Sequence, residues 1–289
     1  MSKVRSAVIA GCLILVSLAT SLAASGPGAE VVRGRQVPES DLPWMVSVQF
    51  GASGAGDPFD AHGCGGELLD SRHVLTAAHC VAWPDGRVIE PRKVQVYSGW
   101  HALRPGKGAI TLVAAIHVHP DYYSERRTPL ERFDVAMLTL AAPVEGIEPA
   151  RIVGEGERRW ERPEQVVHVA GWGSTKPYGG GYSERTRFRR QLMAGRLVVI
   201  DAMSCVERLR PKGIRGLDTE ASICAVPDPG GSCWNDSGGP LYVETGTGVV
   251  VIGTLSWGFG CGIRGMPEMY TRLSNPTVAQ WITERLGSS

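Results

Sequence analysis

The stretch of sequence that decides the fold is GSCWNDSGGP, which occupies residues 231–240. The second of its two serines, Ser237, stands between an aspartate and two glycines. A second segment, LTAAHC at residues 75–80, carries His79 next to a cysteine. Since a serine hydroxyl is a weak nucleophile until a neighbouring imidazole accepts its proton, the two segments supply a candidate nucleophile and a candidate base.

A third segment, FDVAML at residues 133–138, carries Asp134. A carboxylate is suited to fix the tautomer of the imidazole and to stabilise its cation. The histidine, the aspartate and the serine follow one another in the order used by the chymotrypsin-type fold. On these segments the chain resembles the chymotrypsin/trypsin family of serine peptidases, from about residue 31 to the C-terminus. The resemblance implies catalytic roles for His79, Asp134 and Ser237.

One position departs from the family pattern, because Asn235 stands where the family has glycine, two residues before Ser237. The resemblance implies that the backbone N–H groups of Asn235 and Ser237 form the oxyanion hole, so position 235 contributes its backbone and not its side chain. Asparagine tolerates positive φ better than most residues. We therefore expect a strain of about 1 kcal/mol and a hole that still forms, at the latest when substrate binds.

The primary specificity pocket is the next feature that the resemblance locates, with Gly231 at its base, Gly258 at its neck and Glu268 beside them. The base lacks the aspartate of trypsin. We expect acceptance of Lys or Arg together with large apolar residues; the alternative is that a partly protonated Glu268 shortens the pocket and favours small aliphatic residues. The backbone of Ser256, Trp257 and Gly258 would bind an extended substrate as an added strand.

Residues 31–34 read VVRG and are similar to the mature amino terminus of the family, usually Ile-Val-Gly-Gly. The resemblance implies that cleavage after Glu30 frees the α-amine of Val31, which inserts and pairs with Asp236. An unpaired buried carboxylate is costly, so the new ammonium would order the loop around it. Glu30 indicates a separate activating protease. The alternative is that Val31 merely begins a strand.

The N-terminal residues 1–24 are typical of a secretory signal peptide, since Lys3 and Arg5 precede an apolar run and small residues follow it. Residues 25–30 would form a short propeptide. We expect a secreted, extracellular protein; a transmembrane anchor is the competing interpretation of the apolar run.

The charge balance excludes some kinds of partner. Residues 31–289 carry 28 Lys and Arg against 28 Asp and Glu, which argues against nucleic acid or a membrane surface as partner. We expect protein or peptide substrates, an activating protease and protein inhibitors, and a monomeric protein. No cofactor and no metal is expected, because the stretch after Trp100 lacks the acidic pair that holds calcium in trypsin.

Six cysteines remain after the signal peptide, an even number typical of disulfides in an exported chain. Six cysteines allow 15 pairings, and the sequence alone does not choose among them. A zinc site is the competing interpretation, but the chain has no Cys-x-x-Cys pair. The resemblance implies pairing of Cys64 with Cys80, Cys205 with Cys224, and Cys233 with Cys261.

Short segments with the β pattern recur between Gly, Pro and Asp residues, which predicts an all-β protein. They occupy residues 44–50, 93–97, 109–119, 134–140, 165–170, 195–200 and 248–257. A helix is predicted at the C-terminus, with Asn275 as its cap, Pro276 at its first position and Gly287 at its end.

By itself this pattern allows a sandwich or barrels. The resemblance implies two packed six-stranded antiparallel β-barrels and the C-terminal α-helix, with the site between the barrels. The polar segment 141–164 would connect them, so that residues 31–150 form the N-terminal half and residues 151–289 the C-terminal half. Histidines outside the triad, His62 among them, are interpreted as packing or surface residues.

Two functional classes fit these features. The first is a secreted serine endopeptidase, made as a zymogen, that hydrolyses peptide bonds through an acyl-enzyme on Ser237. The second is a catalytically weak or silent homologue that acts as a binding protein. Asn235 and Arg33 favour the second class, whereas the complete triad favours the first. An esterase for small activated esters is a further alternative, because it needs less from the oxyanion hole.

Overall fold

The computed structural model describes residues 32–51, 56–83, 85–122, 132–175 and 188–287. The predicted signal peptide, the predicted propeptide and the activation residue Val31 lie outside these residues. Among the described residues, no helix is both long enough and apolar enough to cross a membrane.

The first half of the chain forms a closed antiparallel barrel of six strands, which follow a two-residue strand, β1 (Arg35–Gln36). The six are β2 (Met45–Phe50), β3 (His62–Leu68), β4 (His73–Thr76), β5 (Val94–Ser98), β6 (Ala109–Val118) and β7 (Ala136–Leu140). Around the barrel the order is β2-β3-β4-β7-β6-β5. Its interior is filled by aliphatic side chains, of which Val46, Val74 and Leu138 have no exposed surface.

The second half forms another closed barrel. Its strands are β8 (Val166–Gly171), β9 (Met193–Val199), β10 (Ser222–Pro227), β11 (Pro240–Thr245), β12 (Gly248–Gly258) and β13 (Glu268–Arg272). They are hydrogen-bonded in the order β9-β10-β13-β12-β11-β8, and β8 pairs with β9 to close the ring. Strand β1 is added to this barrel at β9. The expected fold of two six-stranded antiparallel barrels is therefore confirmed.

The helices in the described residues are short except at the C-terminus. They are α1 (Pro58–Ala61), α2 (Ala78–Val81), α3 (Ala202–Leu209) and α4 (Pro276–Leu286), with 3₁₀ turns at Pro91–Lys93, Pro120–Tyr122 and Arg210–Lys212. Helix α4 begins as expected, because the Asn275 side chain accepts the N–H groups of Thr277 and Val278. Such a cap contributes about 1 kcal/mol. Helix α4 buries Val278, Trp281 and Ile282 against the core.

Three disulfides connect these elements, and they are the pairs that the resemblance implies. Cys64–Cys80 joins β3 to α2, Cys205–Cys224 joins α3 to β10, and Cys233–Cys261 joins two segments that flank β11 and β12. The linked cysteines are 16, 19 and 28 residues apart. In the chain-entropy model, loops of this size stabilise the folded state by about 3 kcal/mol each.

Glu67, next to the last residue of β3, is a buried acid that forms no ion pair with any residue that the structure describes. Its side chain is fully buried, and no described residue other than Glu67 itself hydrogen-bonds its carboxyl oxygens. Burial raises the pKa of Glu67 well above its ordinary value. The folded protein therefore retains a proton that the unfolded chain releases above about pH 4.5.

Replacing Glu67 with methionine, a side chain of similar length, should stabilise the protein at pH 7 and much less at pH 4. Because the pKa of Glu67 is raised in the folded state, its contribution to stability is fully present below its unfolded pKa. Above that pH the contribution is lost by about 1.4 kcal/mol per pH unit, up to the folded-state pKa. Urea unfolding of the Ser237→Ala protein at pH 4, 5.5 and 7 measures this dependence. Exposed Glu155→Met is the control. A gain that is the same at all three pH values would contradict the assignment.

Candidate active site

Asp134 connects the two barrels at the centre of the site. It lies just before β7 and has no exposed surface. Its Oδ1 accepts the backbone N–H of His79 at 2.9 Å, and its Oδ2 accepts the Nδ1–H of the same residue at 2.7 Å. With Nδ1 carrying a proton, the Nε2 of the neutral His79 ring is left as an acceptor. The short helix α2 therefore carries an imidazole whose tautomer leaves Nε2 able to accept a proton.

The second barrel also holds this carboxylate. Ser256, near the end of β12, donates its hydroxyl to Asp134 Oδ2 at 2.6 Å. Thr271 of β13 donates its hydroxyl to the Asp134 main-chain oxygen at 3.2 Å. The hydrogen bonds compensate the burial of a carboxylate between the barrels. This role of Ser256 is additional to the substrate-binding role expected from the sequence.

Ser237 and His79 line one cavity of about 280 Å³. Its wall also includes Ser256, Trp257 and Gly258, the three residues expected to bind an extended substrate. The structure thus brings together the predicted nucleophile, the predicted base and the predicted substrate strand. A peptide bound in this cavity could therefore reach Ser237.

Glu268 lies in contact with Gly231, and neither residue lines this cavity. A Cβ atom on Gly231 would be only 2.4 Å from Glu268 Oε1. The carboxyl oxygens accept the backbone N–H of Ser232 at 2.9 and 3.1 Å, and Oε2 accepts the hydroxyl of Tyr270 at 2.8 Å. Burial nevertheless raises the pKa of Glu268 to about 7. An acid that is easily switched between its charged and neutral forms therefore lies next to Gly231.

Asn235 occupies the third position of a tight turn. The N–H of Asp236 donates to the carbonyl of Cys233 at 3.1 Å, and the φ angle of Asn235 is 71°. Positive φ at this position is the mark of a type II turn, where glycine and asparagine are preferred. The turn is attached to β3, because His62 Nε2 contacts the Asn235 carbonyl at 3.0 Å and the Asn235 side chain donates to the His62 carbonyl at 3.3 Å. The sequence pattern did not predict this side-chain contact.

Asp236 is the third buried acid of the region. Its Oδ1 accepts the N–H of Gly173 at 2.7 Å and its Oδ2 accepts the N–H of Cys233 at 2.9 Å. A Cβ atom on Gly171 would lie 2.1 Å from Oδ1, so the carboxylate fits only because that residue has no side chain. Within the described part of the chain, no cation pairs with Asp236, and burial raises its pKa to about 7.

Val32, the residue after Val31, is fully buried on this side of the molecule. Its carbonyl accepts the N–H of Gly231 at 3.2 Å, and its side chain packs with Cys233 and Cys261. The chain that follows the expected activation site is therefore anchored beside the pocket and the loop that carries Asp236.

One group of candidate metal ligands occurs among the described residues, and it consists of Cys64, His79 and Cys80. Both sulfurs are used in a disulfide. They are therefore not available as the thiolates that a zinc site needs.

Comparison with known proteins agrees with this geometry. A family model described as Trypsin matches residues 31–282. The chain is also 32% identical to a protein named Trypsin from Simulium vittatum, over 272 residues that cover 91% of this chain and 96% of the relative.

Proposed function

Since the chain belongs to the trypsin family and is a serine endopeptidase, we propose that it hydrolyses peptide bonds through an acyl-enzyme on Ser237. One observation supports this most directly. The Asp134 carboxylate holds His79 by two hydrogen bonds, and His79 shares the wall of one cavity with Ser237.

In the proposed reaction, the Ser237 hydroxyl attacks the carbonyl carbon of the substrate while His79 Nε2 accepts its proton. The oxygen of the resulting tetrahedral intermediate is bound by the backbone N–H groups of Asn235 and Ser237. His79 then gives the proton to the leaving amine as the C–N bond breaks. Water, activated by the same imidazole, releases the acid and restores Ser237. Asp134 orients the ring throughout and stabilises its cation.

The protein that starts at Val31 should gain one adduct at Ser237 when it is treated with a fluorophosphonate, and it should cleave members of a peptide library. Ser237→Ala should not be labelled. Asp134→Asn should be labelled about 10³–10⁴ times more slowly, because one amide oxygen cannot replace a carboxylate that accepts both His79 N–H groups. Mass spectrometry locates the adduct. An unlabelled Ser237 would refute the proposed chemistry and favour the silent binding protein.

We propose that the enzyme cleaves after basic residues and also after large apolar residues. Glu268 supports this, because it is buried beside Gly231 and its pKa is about 7. As a carboxylate it attracts a Lys or Arg side chain. As a neutral acid it tolerates an apolar one, since no charge then lies beside Gly231 without a cationic partner.

The ratio of kcat/KM for a lysyl substrate to that for a phenylalanyl substrate should rise by up to about a hundredfold between pH 6 and 8, because the ratio of the charged to the neutral form of a group with a pKa near 7 rises from about 0.1 to about 10 over this range. Any pH dependence that the catalytic base contributes is common to both substrates and cancels in the ratio. Glu268→Gln should give a lower, pH-independent ratio, whereas exposed Glu145→Gln should behave as wild type. A preference for alanyl or valyl substrates at all pH values would favour the short pocket.

We propose that the enzyme is made as a zymogen, and the support for this is the environment of Asp236. The buried carboxylate is without a cationic partner among the described residues, and Val32 is anchored nearby. Cleavage after Glu30 by a separate protease would supply the α-amine of Val31 as that partner. We also propose that the signal peptide 1–24 directs secretion, and the three disulfides favour such an oxidising compartment. The secreted enzyme would be a monomer that protein inhibitors can bind.

Between pH 4 and 7, Asp236 should lower the stability of the uncleaved Ser237→Ala protein by roughly 1–4 kcal/mol, and that of the protein that starts at Val31 by less, whereas the contributions of Glu67 and Glu268 are common to both forms. The raised pKa of Asp236 means that its contribution is fully present below pH 3.8 and is lost as the pH rises towards 7. Pairing with the new ammonium opposes this loss. Urea unfolding of both forms at pH 4 and 7 measures the difference, and parallel losses would contradict the pairing.

A further inference from the structure

The side chain of Asn235 makes a contact that the glycine expected at this position does not offer. Its Nδ2 lies 3.3 Å from the main-chain oxygen of His62. A carbonyl oxygen only accepts hydrogen bonds, so the amide nitrogen must face it and donate. The contact joins residues 173 positions apart, one in the turn before Ser237 and the other at the start of β3.

The same two residues are bonded in the opposite direction. His62 Nε2 lies 3.0 Å from the Asn235 carbonyl, which can only accept, so this ring nitrogen carries the proton. His62 Nδ1 is then free to accept the hydroxyl of Ser47 at 2.8 Å. Burial lowers the pKa of His62 to about 4, which keeps the ring in this neutral form. The two contacts form a reciprocal pair, each made by one side chain with the main chain of the other residue.

A buried network holds the His62 end of this pair in place. Gln49 donates to the Ser47 hydroxyl at 3.3 Å and to the Pro58 carbonyl at 2.9 Å. Gln95 donates to Gln49 at 3.0 Å. These side chains lie on β2 and β5 of the first barrel. The anchor for the Asn235 amide is therefore part of a rigid barrel wall.

The anchored turn also leads directly to Ser237, whose carbonyl accepts the N–H of Gly65 at 2.8 Å. Both ends of the segment 235–237 are thus bonded to β3. Since an oxyanion hole works best when its N–H groups are fixed before charge develops, the attachment bears on the rate of reaction.

We propose that the Asn235 side chain is a positioning residue, which fastens the oxyanion turn to β3 through the reciprocal pair with His62 and so keeps the hole formed before substrate binds. This inference rests on the proposed acyl-enzyme chemistry. In this chain the side chain of Asn235 restricts the motion of the turn by bonding it to β3. The backbone N–H of the same residue contacts the substrate oxygen.

Three substitutions separate attachment from backbone strain. Asn235→Ala loses the donor and keeps the unfavourable positive φ, Asn235→Asp loses the donor but keeps tolerance of positive φ, and Asn235→Gly loses the donor and the strain together. The expected kcat falls at least tenfold for Ala and Asp and about threefold for Gly, with KM changed less than twofold. The inhibition constant of a peptide aldehyde, whose adduct carries the oxyanion, should rise in proportion to the fall in kcat.

Glu164 is a matched control, because it is exposed, has a φ of 68° and donates its N–H to Val199 instead of contacting the site. Glu164→Ala and Glu164→Gly should shift the unfolding midpoint without changing kcat. A wild-type kcat and aldehyde affinity in Asn235→Gly, or a wild-type kcat in Asn235→Asp, would overturn the proposal.

One readout does not depend on activity. The His62 Nε2–H proton, followed by NMR, should be protected from exchange in the wild type and should exchange at least tenfold faster in Asn235→Ala. Equal exchange in both proteins would overturn the attachment. If the wild type neither labels nor cleaves peptides, the acyl-enzyme proposal fails by that result alone, and the exchange measurement still decides whether the attachment exists.

Discussion

The buried carboxylate of Asp134 is the constraint on which the site depends. It comes from the first barrel, yet the hydroxyls of Ser256 and Thr271 reach it from the second. Burying such a charge costs several kcal/mol unless its hydrogen bonds are made. The barrels pack so that the Ser256 hydroxyl of the second barrel reaches the carboxyl group, which already accepts both N–H groups of His79 within the first half of the chain. The cavity lined by His79, Ser237 and Ser256 lies at this contact.

The sequence predicts those features of the fold and the site that depend on residues close together in the chain. The catalytic segments and the Asn275 cap are contiguous motifs, and seven β-patterned segments overlap strands of the structure. Six of the described strands lie outside those segments: β1, β3, β4, β10, β11 and β13. Of these, β3 is rich in glycine and β4 has only four residues. The bonds from Ser256 to Asp134 and from Asn235 to His62 join residues 122 and 173 positions apart. Such contacts depend on the packing of whole barrels, which no local pattern encodes.

The cost of replacing glycine at position 235 is offset by a hydrogen bond from the turn to β3. Positive φ costs a non-glycine residue about 1–2 kcal/mol, less for asparagine. A hydrogen bond such as the one that Asn235 donates to His62 contributes about 0.5–1.5 kcal/mol. The two magnitudes are comparable, so an asparagine here need not weaken the fold. The two residues order the turn in different ways. A glycine at position 235 would be held in place only by its surroundings, whereas Asn235 is held by its own side-chain bond to His62.

Two successive backbone N–H groups serve two different buried acids. Ser232 donates to Glu268 and Cys233 donates to Asp236. One short strip of main chain thus donates both to the acid proposed to set specificity and to the acid proposed to respond to maturation. A substitution that moves this strip to reshape the pocket also moves the second donor. In the proposed function, substrate preference and the control of maturation therefore depend on the same strip of main chain, and selection for a change in one would act on the other as well.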